Sequence, residues 1–109
     1  ISIIIGAPYN NGRMLGRIAD HVDLPDQSPD ELAYIGRYQT ICDRYGVPIK
    51  AAALQFVMAH PAVVSVIPGP ISLAEMTDNI CMMQHSIPSE LWTDMVAEGL
   101  ILSGCPLPA

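Results

Sequence analysis

The stretch AVVSVIPGPISLAEMTDNI, residues 62–80, decides the fold of this chain. Its apolar run over residues 63–67 predicts a short buried strand, which Pro68-Gly69-Pro70 ends. The next four residues, Ser72-Leu73-Ala74-Glu75, are typical of a capping box and predict the start of a helix. A strand, a glycine turn and a helix N-terminus in this order can hold an anion against backbone N–H groups.

A second apolar run, residues 1–5 (ISIII), also predicts a buried strand. The loop that follows, residues 6–12, contains an Asn-Gly pair and can reach positive φ. Such a pair can close a hairpin, but residues 13–17 (RMLGR) do not alternate as a strand would. We therefore favour an open loop at the C-terminal end of a strand, where α/β proteins place ligands.

Helices are predicted from capping signals and apolar periodicity. The segment Ser28-Pro29-Asp30-Glu31 is a strong helix start, and Gly46 provides the stop. The helix that begins at Pro48 is apolar nearly all round, so we expect it to be heavily buried. The predicted helices cover about residues 29–45, 49–60, 72–83 and 88–98, and Gly99 ends the last of them.

The order of these elements implies a parallel pair of strands, because a crossover of this length joins parallel neighbours. Two parallel strands cannot bury both of their faces alone. Half of the 109 residues are hydrophobic, which is high for a domain of this size. We therefore expect the chain to be an incomplete part of a larger protein, or to associate through its apolar surface.

The charge distribution argues against several kinds of partner. The net charge is −6, and the sequence after Lys50 contains no Lys or Arg. Nucleic acids and anionic membranes require clustered positive charge, so neither is an expected partner. The apolar run at residues 1–5 has no basic flank and is too short for a signal peptide. No apolar stretch reaches the length of a membrane span.

The three cysteines, Cys42, Cys81 and Cys105, are odd in number and widely spaced. This pattern predicts neither a disulfide framework nor a metal site, and it favours reduced thiols in a cytoplasmic protein. The histidines show no HExxH or similar spacing, so no metal ligand is assigned. We interpret His60, which precedes Pro61, as a helix cap or a residue at the edge of the core.

Short segments of the chain carry a family resemblance: ALQF (53–56), HPAV (60–63), SVIPG (65–69) and DN (78–79). Together they resemble the C-terminal part of an aldo-keto reductase. The most similar branch contains D-threo-aldose, L-fucose and L-galactose dehydrogenases. Residues 87–92 (IPSELW) and 97–100 (AEGL) resemble the closing segment of that branch. The resemblance covers essentially the whole chain.

The resemblance implies an α/β fold, a (β/α)8 TIM barrel that binds a nicotinamide dinucleotide without a Rossmann domain. Residues 1–5 would be the seventh barrel strand and residues 62–67 the eighth. Residues 1–109 would then be the helix-dominated, C-terminal third of a single barrel domain. Sites in such barrels lie at the C-terminal ends of the strands. Residues 6–12 and 68–79 come directly after the C-terminal ends of the two predicted strands.

The resemblance also implies which residues hold the cofactor. The loop after the seventh strand would hold the pyrophosphate and the adjacent ribose, with Ala7, Pro8, Tyr9, Asn10, Asn11 and Gly12. The turn and helix after the eighth strand would face the adenosine end, with Gly69, Pro70, Ile71, Ser72 and Glu75. Asp78 and Asn79 take the positions of an acid–Asn pair that meets the adenine.

The cofactor is expected to be NAD, with NADP less favoured. The family often has Lys or Arg at the positions of Gly69 and Glu75, where they hold the 2′-phosphate of NADP. Here one position is neutral and the other is negative. A helix N-terminus contributes only about 0.3–1 kcal/mol to binding an anion, which does not replace a bidentate Arg contact. A cation from an earlier part of the protein would be needed to rescue NADP binding.

No catalytic residue is assigned in this chain, because the family's catalytic Tyr, Asp, Lys and His come from earlier strands and loops. The tyrosines do not fall at the matching position, and Lys50 lies on a predicted helix. The chain alone is therefore expected to be inactive. Trp92 is interpreted as a core residue; the alternative is contact with substrate, because the C-terminal segment borders the substrate pocket in this family.

We therefore hypothesise that the chain is part of an NAD(P)-dependent oxidoreductase that oxidises a sugar lactol or reduces an aldehyde. Its partners would be a small-molecule substrate and the preceding part of the barrel, or a second copy of the chain. The alternative is a stand-alone, non-catalytic helical domain that oligomerises through its apolar strands.

Overall fold

The computed structural model describes residues 1–6, 8, 29–70 and 72–108, apart from the side chain of Glu31. In this part the chain forms two strands and four helices. Their order is β1 (Ile3–Gly6), α1 (Pro29–Arg44), α2 (Ile49–Met58), β2 (Val63–Ile67), α3 (Leu73–Gln84) and α4 (Ser89–Ala97). Each predicted element is present, with boundaries that differ by one or two residues.

The two strands are parallel neighbours, as the crossover predicts. The backbone N–H of Ile3 donates to the carbonyl of Ala62 at 2.7 Å. After one irregularity in register, the pairing continues to Gly6, whose partner is Ile67. The C-terminal ends of β1 and β2 therefore lie side by side.

The prediction that both strands are buried is wrong for this chain. Ile4 is 60% exposed and Ile67 is 59% exposed. Among the described residues the sheet has only these two strands, and α2 packs against β2. Two strands with one neighbouring helix leave apolar side chains uncovered, because each strand directs alternate residues to opposite faces.

The predicted glycine stops are confirmed at the ends of α1 and α4. Gly46 has a φ of +65° and Gly99 a φ of +75°, a conformation that favours glycine. The N–H of Val47 donates to the carbonyl of Cys42 at 2.9 Å, and that of Gly46 to Asp43 at 3.1 Å. This is a Schellman motif. The same pattern closes α4, where the N–H of Leu100 donates to Met95 at 2.9 Å.

The turn between α2 and β2 is organised by His60. Its Nδ1 accepts a hydrogen bond from the N–H of Ala62 at 3.1 Å, and its carbonyl accepts one from Val63 at 3.0 Å. The helix ends at Met58, slightly before the predicted end. The C-cap of the helix is Ala59, and His60 is exposed. The interpretation of His60 as a helix cap or a residue at the edge of the core is therefore wrong, because its hydrogen bonds order the turn that follows the helix.

The core lies between α1, α2, α4 and the segment after α4. Trp92 is 3% exposed, and its ring stacks on that of Phe56 with centroids 6.1 Å apart. The structure thus places Trp92 in the core, as the first interpretation of this residue predicts. The buried apolar residues of the described part are Ile41, Cys42, Val47, Ile49, Ala51, Ala52, Leu54, Leu91, Trp92, Met95, Leu100 and Ile101.

Across the described residues, no helix combines the length and apolar character that a bilayer crossing requires.

Candidate functional site

The candidate site lies at the edge of the sheet where both strands end. Because Gly6 pairs with Ile67 in a parallel register, β1 and β2 end at the same edge of the sheet. Both segments predicted to hold the dinucleotide therefore begin side by side. Of the first, only Pro8 belongs to the described residues. The predicted positions outside them are Ala7, Tyr9, Asn10, Asn11, Gly12 and Ile71.

The turn after β2 depends on Gly69. Its φ of +69° is in the left-handed region, so a residue with a side chain would be strained here. Pro70 follows and is half-buried. This turn carries the chain from the end of β2 to the start of α3 within a few residues.

Ser72 is the N-cap of α3, as the capping box predicts. Its Oγ accepts a hydrogen bond from the N–H of Glu75 at 3.1 Å, and its carbonyl accepts one from Met76 at 3.1 Å. The first-turn N–H groups of Leu73 and Ala74 have no acceptor within the helix, as in any α-helix. Both residues are exposed, so this helix N-terminus is open to an acceptor from outside the helix.

An ion pair joins α2 to α3 beside this site. The Nζ of Lys50 contacts the Oδ2 of Asp78. The Asp78 side chain is 46% exposed and that of Lys50 is 22% exposed. Sequence reasoning placed Asp78 at the adenine and dismissed Lys50 as a helix residue, so it missed this contact. One feature of the sequence could have suggested the ion pair: Lys50 is the sole basic residue in the sequences of α2 and α3.

Asn79 lies in a different environment from its neighbour Asp78. It is 6% exposed, which makes it the buried polar residue of the described core. Its predicted contact with the adenine remains a prediction, and its burial means that it lies deeper than the half-exposed carboxylate of Asp78.

A second contact fixes the relative direction of α2 and α3. The Nε2 of Gln55 donates to the carbonyl of Met82 at 2.9 Å and to that of His85 at 2.8 Å. Since the earlier residue Lys50 meets the earlier residue Asp78, the two helices run in the same general direction. The N-terminus of α3 is thus held at the same end of the packed pair as the start of α2.

An apolar cleft of about 390 Å³ lies on the other side of α2. It brings together Pro8, from the predicted cofactor loop, and Trp92, whose alternative role was contact with substrate. Burial raises the pKa of the Cys42 thiol, which also lines the cleft, to about 11. Cys42 is therefore protonated near neutral pH and is not an activated nucleophile. The hydroxyl of Tyr38 donates to the carbonyl of Leu100 at 2.7 Å.

A cluster of charged and polar groups links α1 to α4. Asp94 accepts hydrogen bonds from the hydroxyl of Tyr45 and from Nη1 of Arg44, the latter at 2.8 Å. The Tyr45 hydroxyl and then the Arg44 guanidinium lower the pKa of Asp94. The same hydrogen bond to Asp94 raises the pKa of Tyr45. These groups hold two helices together.

The three cysteines carry free thiols. Within the described ranges, no three His, Cys, Asp or Glu side chains are grouped so that they could hold a metal ion.

Comparison with known proteins identifies a family and two relatives. Residues 3–97 match the aldo/keto reductase family model. The chain is 34% identical over 103 residues to a pyridoxal 4-dehydrogenase of Microbacterium luteolum, covering 93% of this chain and 30% of that protein. It is 34% identical over 106 residues to a D-threo-aldose 1-dehydrogenase of Pseudomonas sp., covering 91% of this chain and 31% of that protein. The chain thus spans about 30% of the length of these curated relatives.

Proposed function

The chain belongs to the aldo/keto reductase family, and from this premise we propose that it is the C-terminal third of a (β/α)8 barrel oxidoreductase that uses NAD. In this proposal β1 and β2 are the seventh and eighth strands of the barrel. The exposed faces of both strands support it, because further strands and helices of a barrel would cover them. Members of the family use nicotinamide dinucleotides.

The observation that carries the proposal is the common edge at which β1 and β2 end. Parallel barrels place their sites at this edge of the strands. Here the turn at Gly69 and the capped N-terminus of α3 lie directly after β2. These parts can contact a dinucleotide, because a close backbone turn lets the ligand approach and the first-turn N–H groups have no acceptor within the helix.

The described residues fit the adenosine half of the cofactor. The positive φ of Gly69 allows the backbone to turn close to a ligand, and the exposed first turn of α3 offers N–H donors to it. When bound, the dinucleotide supplies or accepts the hydride. The task of this chain would be to bind and orient the adenosine and pyrophosphate end, and the groups that move protons would come from elsewhere in the barrel.

The charges around α3 support NAD in preference to NADP. The two positions predicted to meet a 2′-phosphate carry no cation, because Gly69 is neutral and Glu75 is acidic. A 2′-phosphate would bring a dianion close to the Glu75 carboxylate, and like charges at close range repel. NAD lacks that phosphate.

The names of the two relatives suggest the substrate class. Pyridoxal 4-dehydrogenase and D-threo-aldose 1-dehydrogenase are both named for oxidation at a carbon that can be an aldehyde. We extend this to the present protein as a small aldehyde or the corresponding sugar lactol. Oxidation of a lactol removes a hydride from the carbon and a proton from its hydroxyl, and the hydride goes to NAD.

The test is steady-state kinetics of the whole protein that carries this chain. D-threo-aldoses, pyridoxal and a simple aldehyde would each be assayed with NAD and with NADP. We expect kcat/KM with NAD to exceed that with NADP by about tenfold or more, equivalent to about 1.4 kcal/mol. A preference for NADP would contradict the cofactor proposal. Absence of both activity and dinucleotide binding would contradict the proposed function itself.

A second candidate is a stand-alone, non-catalytic helical domain. The exposed apolar side chains of β1 and β2 favour it, because two copies could cover them by association. The intact mass of the natural protein distinguishes the candidates. A mass near that of the 109-residue chain would favour association, whereas a mass about three times larger, as the relatives' lengths imply, would favour the barrel.

A further inference from the structure

The helix α3 has an apolar face that the described part of the chain leaves uncovered. Leu73, Met76 and Ile80 follow the i, i+3, i+7 spacing that places residues on one face of a helix. Their exposed fractions are 83%, 46% and 50%. These three residues are called the α3 stripe below. A helix of a globular protein turns such a face towards a core, so the stripe lacks the cover that its pattern predicts.

The contacts between α3 and α2 involve other positions of α3. Asp78 of α3 meets Lys50 of α2, and the side chain of Gln55 donates to the carbonyls of Met82 and His85 at the end of α3. Among the described elements, α2 is the main packing partner of α3. That partner therefore meets polar groups of α3 and leaves the apolar stripe open.

The strand that leads into α3 is open as well. In the described part of the chain β2 pairs with β1 alone, so the other edge of β2 has no strand beside it there. Val64 is 57% exposed and Ile67 is 59% exposed. Parallel strands occur almost only in larger sheets that are covered on both faces. The edge of β2 and the α3 stripe thus both lack a covering segment.

We propose that one segment of the same protein, outside these 109 residues, covers both features. It is a further strand that pairs with the free edge of β2 and packs beneath the α3 stripe. The inference rests on the barrel of the proposed function, and it makes α3 the helix that lies across the closing pair of strands. Because α2 packs against β2 and α3 packs against α2, a strand added beside β2 extends the sheet below this layer of helices.

The length of the relatives favours this occupant over a second copy of the chain. The chain spans 30% of one relative and 31% of the other, so most of such a protein lies outside it and can supply the strand. A second copy that packed on α3 would cover the stripe but leave the edge of β2 unpaired. One added strand meets both.

The test is hydrogen peroxide footprinting of the native whole protein, with the oxidation of each methionine followed by mass spectrometry. Met76 reports on the stripe, where it is 46% exposed in this chain, and Met95, which is 2% exposed, gives the rate of a core methionine. We expect Met76 to be oxidised within about fivefold of the rate of Met95, because oxidation follows exposure.

A matched pair of variants tests the stripe by stability. Ile80→Lys places a charge on the stripe, and Cys81→Lys places the same charge at the next residue, which is also exposed in this chain. Ile80→Lys should lower the Tm of the whole protein by at least about 4 °C, because an unpaired charge would be buried under the strand. Cys81→Lys should lower it by about 2 °C or less. If Ile80→Lys does not fold, the footprint of the parent protein still decides.

Three results would overturn the proposal. Oxidation of Met76 more than about fivefold faster than that of Met95 would show that the stripe is open to solvent. Equal losses of Tm in the two lysine variants would show that the stripe is no more covered than its neighbour Cys81. Protection of Met76 that disappears on dilution, as a dimer dissociates in analytical ultracentrifugation, would assign the stripe to a second copy.

The inference and the proposed cofactor can fail separately. If Met76 is unprotected while NAD binds, the covering strand is refuted and the dinucleotide site stands. If Met76 is protected while neither dinucleotide binds, the cofactor proposal is refuted and the covering strand stands.

Discussion

Gln55 on α2 and Met82 on α3 are joined by a hydrogen bond of 2.9 Å from the side-chain amide to the backbone carbonyl. The same Nε2 also donates to the carbonyl of His85, at 2.8 Å. The last carbonyls of a helix have no donor within the helix, and an amide group has two N–H donors. One side chain of α2 thus closes the C-terminal end of the helix that packs against it.

Replacement of this amide should destabilise the protein measurably. In Gln55→Leu the carbonyl of His85 loses this donor in a half-buried position, while the carbonyl of Met82 keeps the backbone N–H of His85 at 3.3 Å. The cost of one such unsatisfied group is about 1–3 kcal/mol. The loss should appear as a lower urea midpoint with an unchanged m-value. The control is Gln39→Leu, which removes an exposed hydrogen bond to Asp43 and should change the free energy of unfolding by about 0.5 kcal/mol or less.

The bonds of Asp94 should make stability dependent on pH at the acid end. Its pKa in the folded chain lies below the usual value of 3.8, first because of the Tyr45 hydroxyl and then because of Arg44. A group whose folded pKa is lowered stabilises the fold above its unfolded pKa, and this contribution is lost as pH falls through the folded pKa. The free energy of unfolding should therefore fall below about pH 4, and less steeply in Asp94→Asn.

Tyr45→Phe separates the two causes of the shift at Asp94. It removes the hydroxyl donor, the larger cause, and keeps the ion pair of Asp94 with Arg44 at 2.8 Å. Its loss of stability on acidification should lie between those of the parent and of Asp94→Asn. Identical acid profiles for all three proteins would show that these bonds do not hold the carboxyl in its charged form.

The elements that sequence predicts well are those fixed by contacts within a few residues. The cap at Ser72 depends on Glu75, three residues later, and the stop at Gly46 depends on carbonyls of the preceding turn. Such contacts need only the local chain, so residue types at fixed spacing suffice to predict them. The parallel pairing of β1 and β2 follows similarly from the length of the crossover between them.

Burial and long-range pairing follow a different logic. The apolar runs of β1 and β2 predict strands but not what covers them. Ile4 and Ile67 are exposed although, among the described elements, α2 packs against β2. The contact of Lys50 with Asp78 joins residues 28 positions apart. It depends on how α2 and α3 cross, and neither periodicity nor capping determines a crossing angle or a register between helices.

The family resemblance gave the correct family and left its finer claims as predictions. The match over residues 3–97 confirms the assignment that the short segments around Pro68 and Gly69 suggested. The predicted pyrophosphate loop lies outside the described residues except for Pro8. The structure therefore contributes the position of α3 and its capped N-terminus.

The two roles of Ser72 can be separated by substitution. Ser72→Ala removes the side chain that caps the N–H of Glu75, and loss of such a cap costs about 0.5–2 kcal/mol of stability. Ser72→Asp keeps a capping oxygen but adds a negative charge where the proposal places the adenosine end. It should retain the stability of the parent protein and raise the dissociation constant of NADP, whose 2′-phosphate it would repel, more than that of NAD. An unchanged ratio of the two dissociation constants in Ser72→Asp would contradict an adenosine-side position for this residue.

The thiols of Cys42 and Cys81 should differ sharply in reactivity. Burial raises the pKa of Cys42 to about 11 and leaves none of its surface exposed, whereas Cys81 is exposed on α3. Only the thiolate reacts with iodoacetamide, and with this pKa about one Cys42 in a thousand is ionised at pH 8. Mass spectrometry of the labelled native protein should find Cys81 modified at least about tenfold faster than Cys42. In denaturant, where Cys42 loses its burial and its pKa is no longer raised, the two rates should become similar. Equal rates in the native protein would show that Cys42 is not enclosed by α1 and α4, and the packing of these helices would need revision.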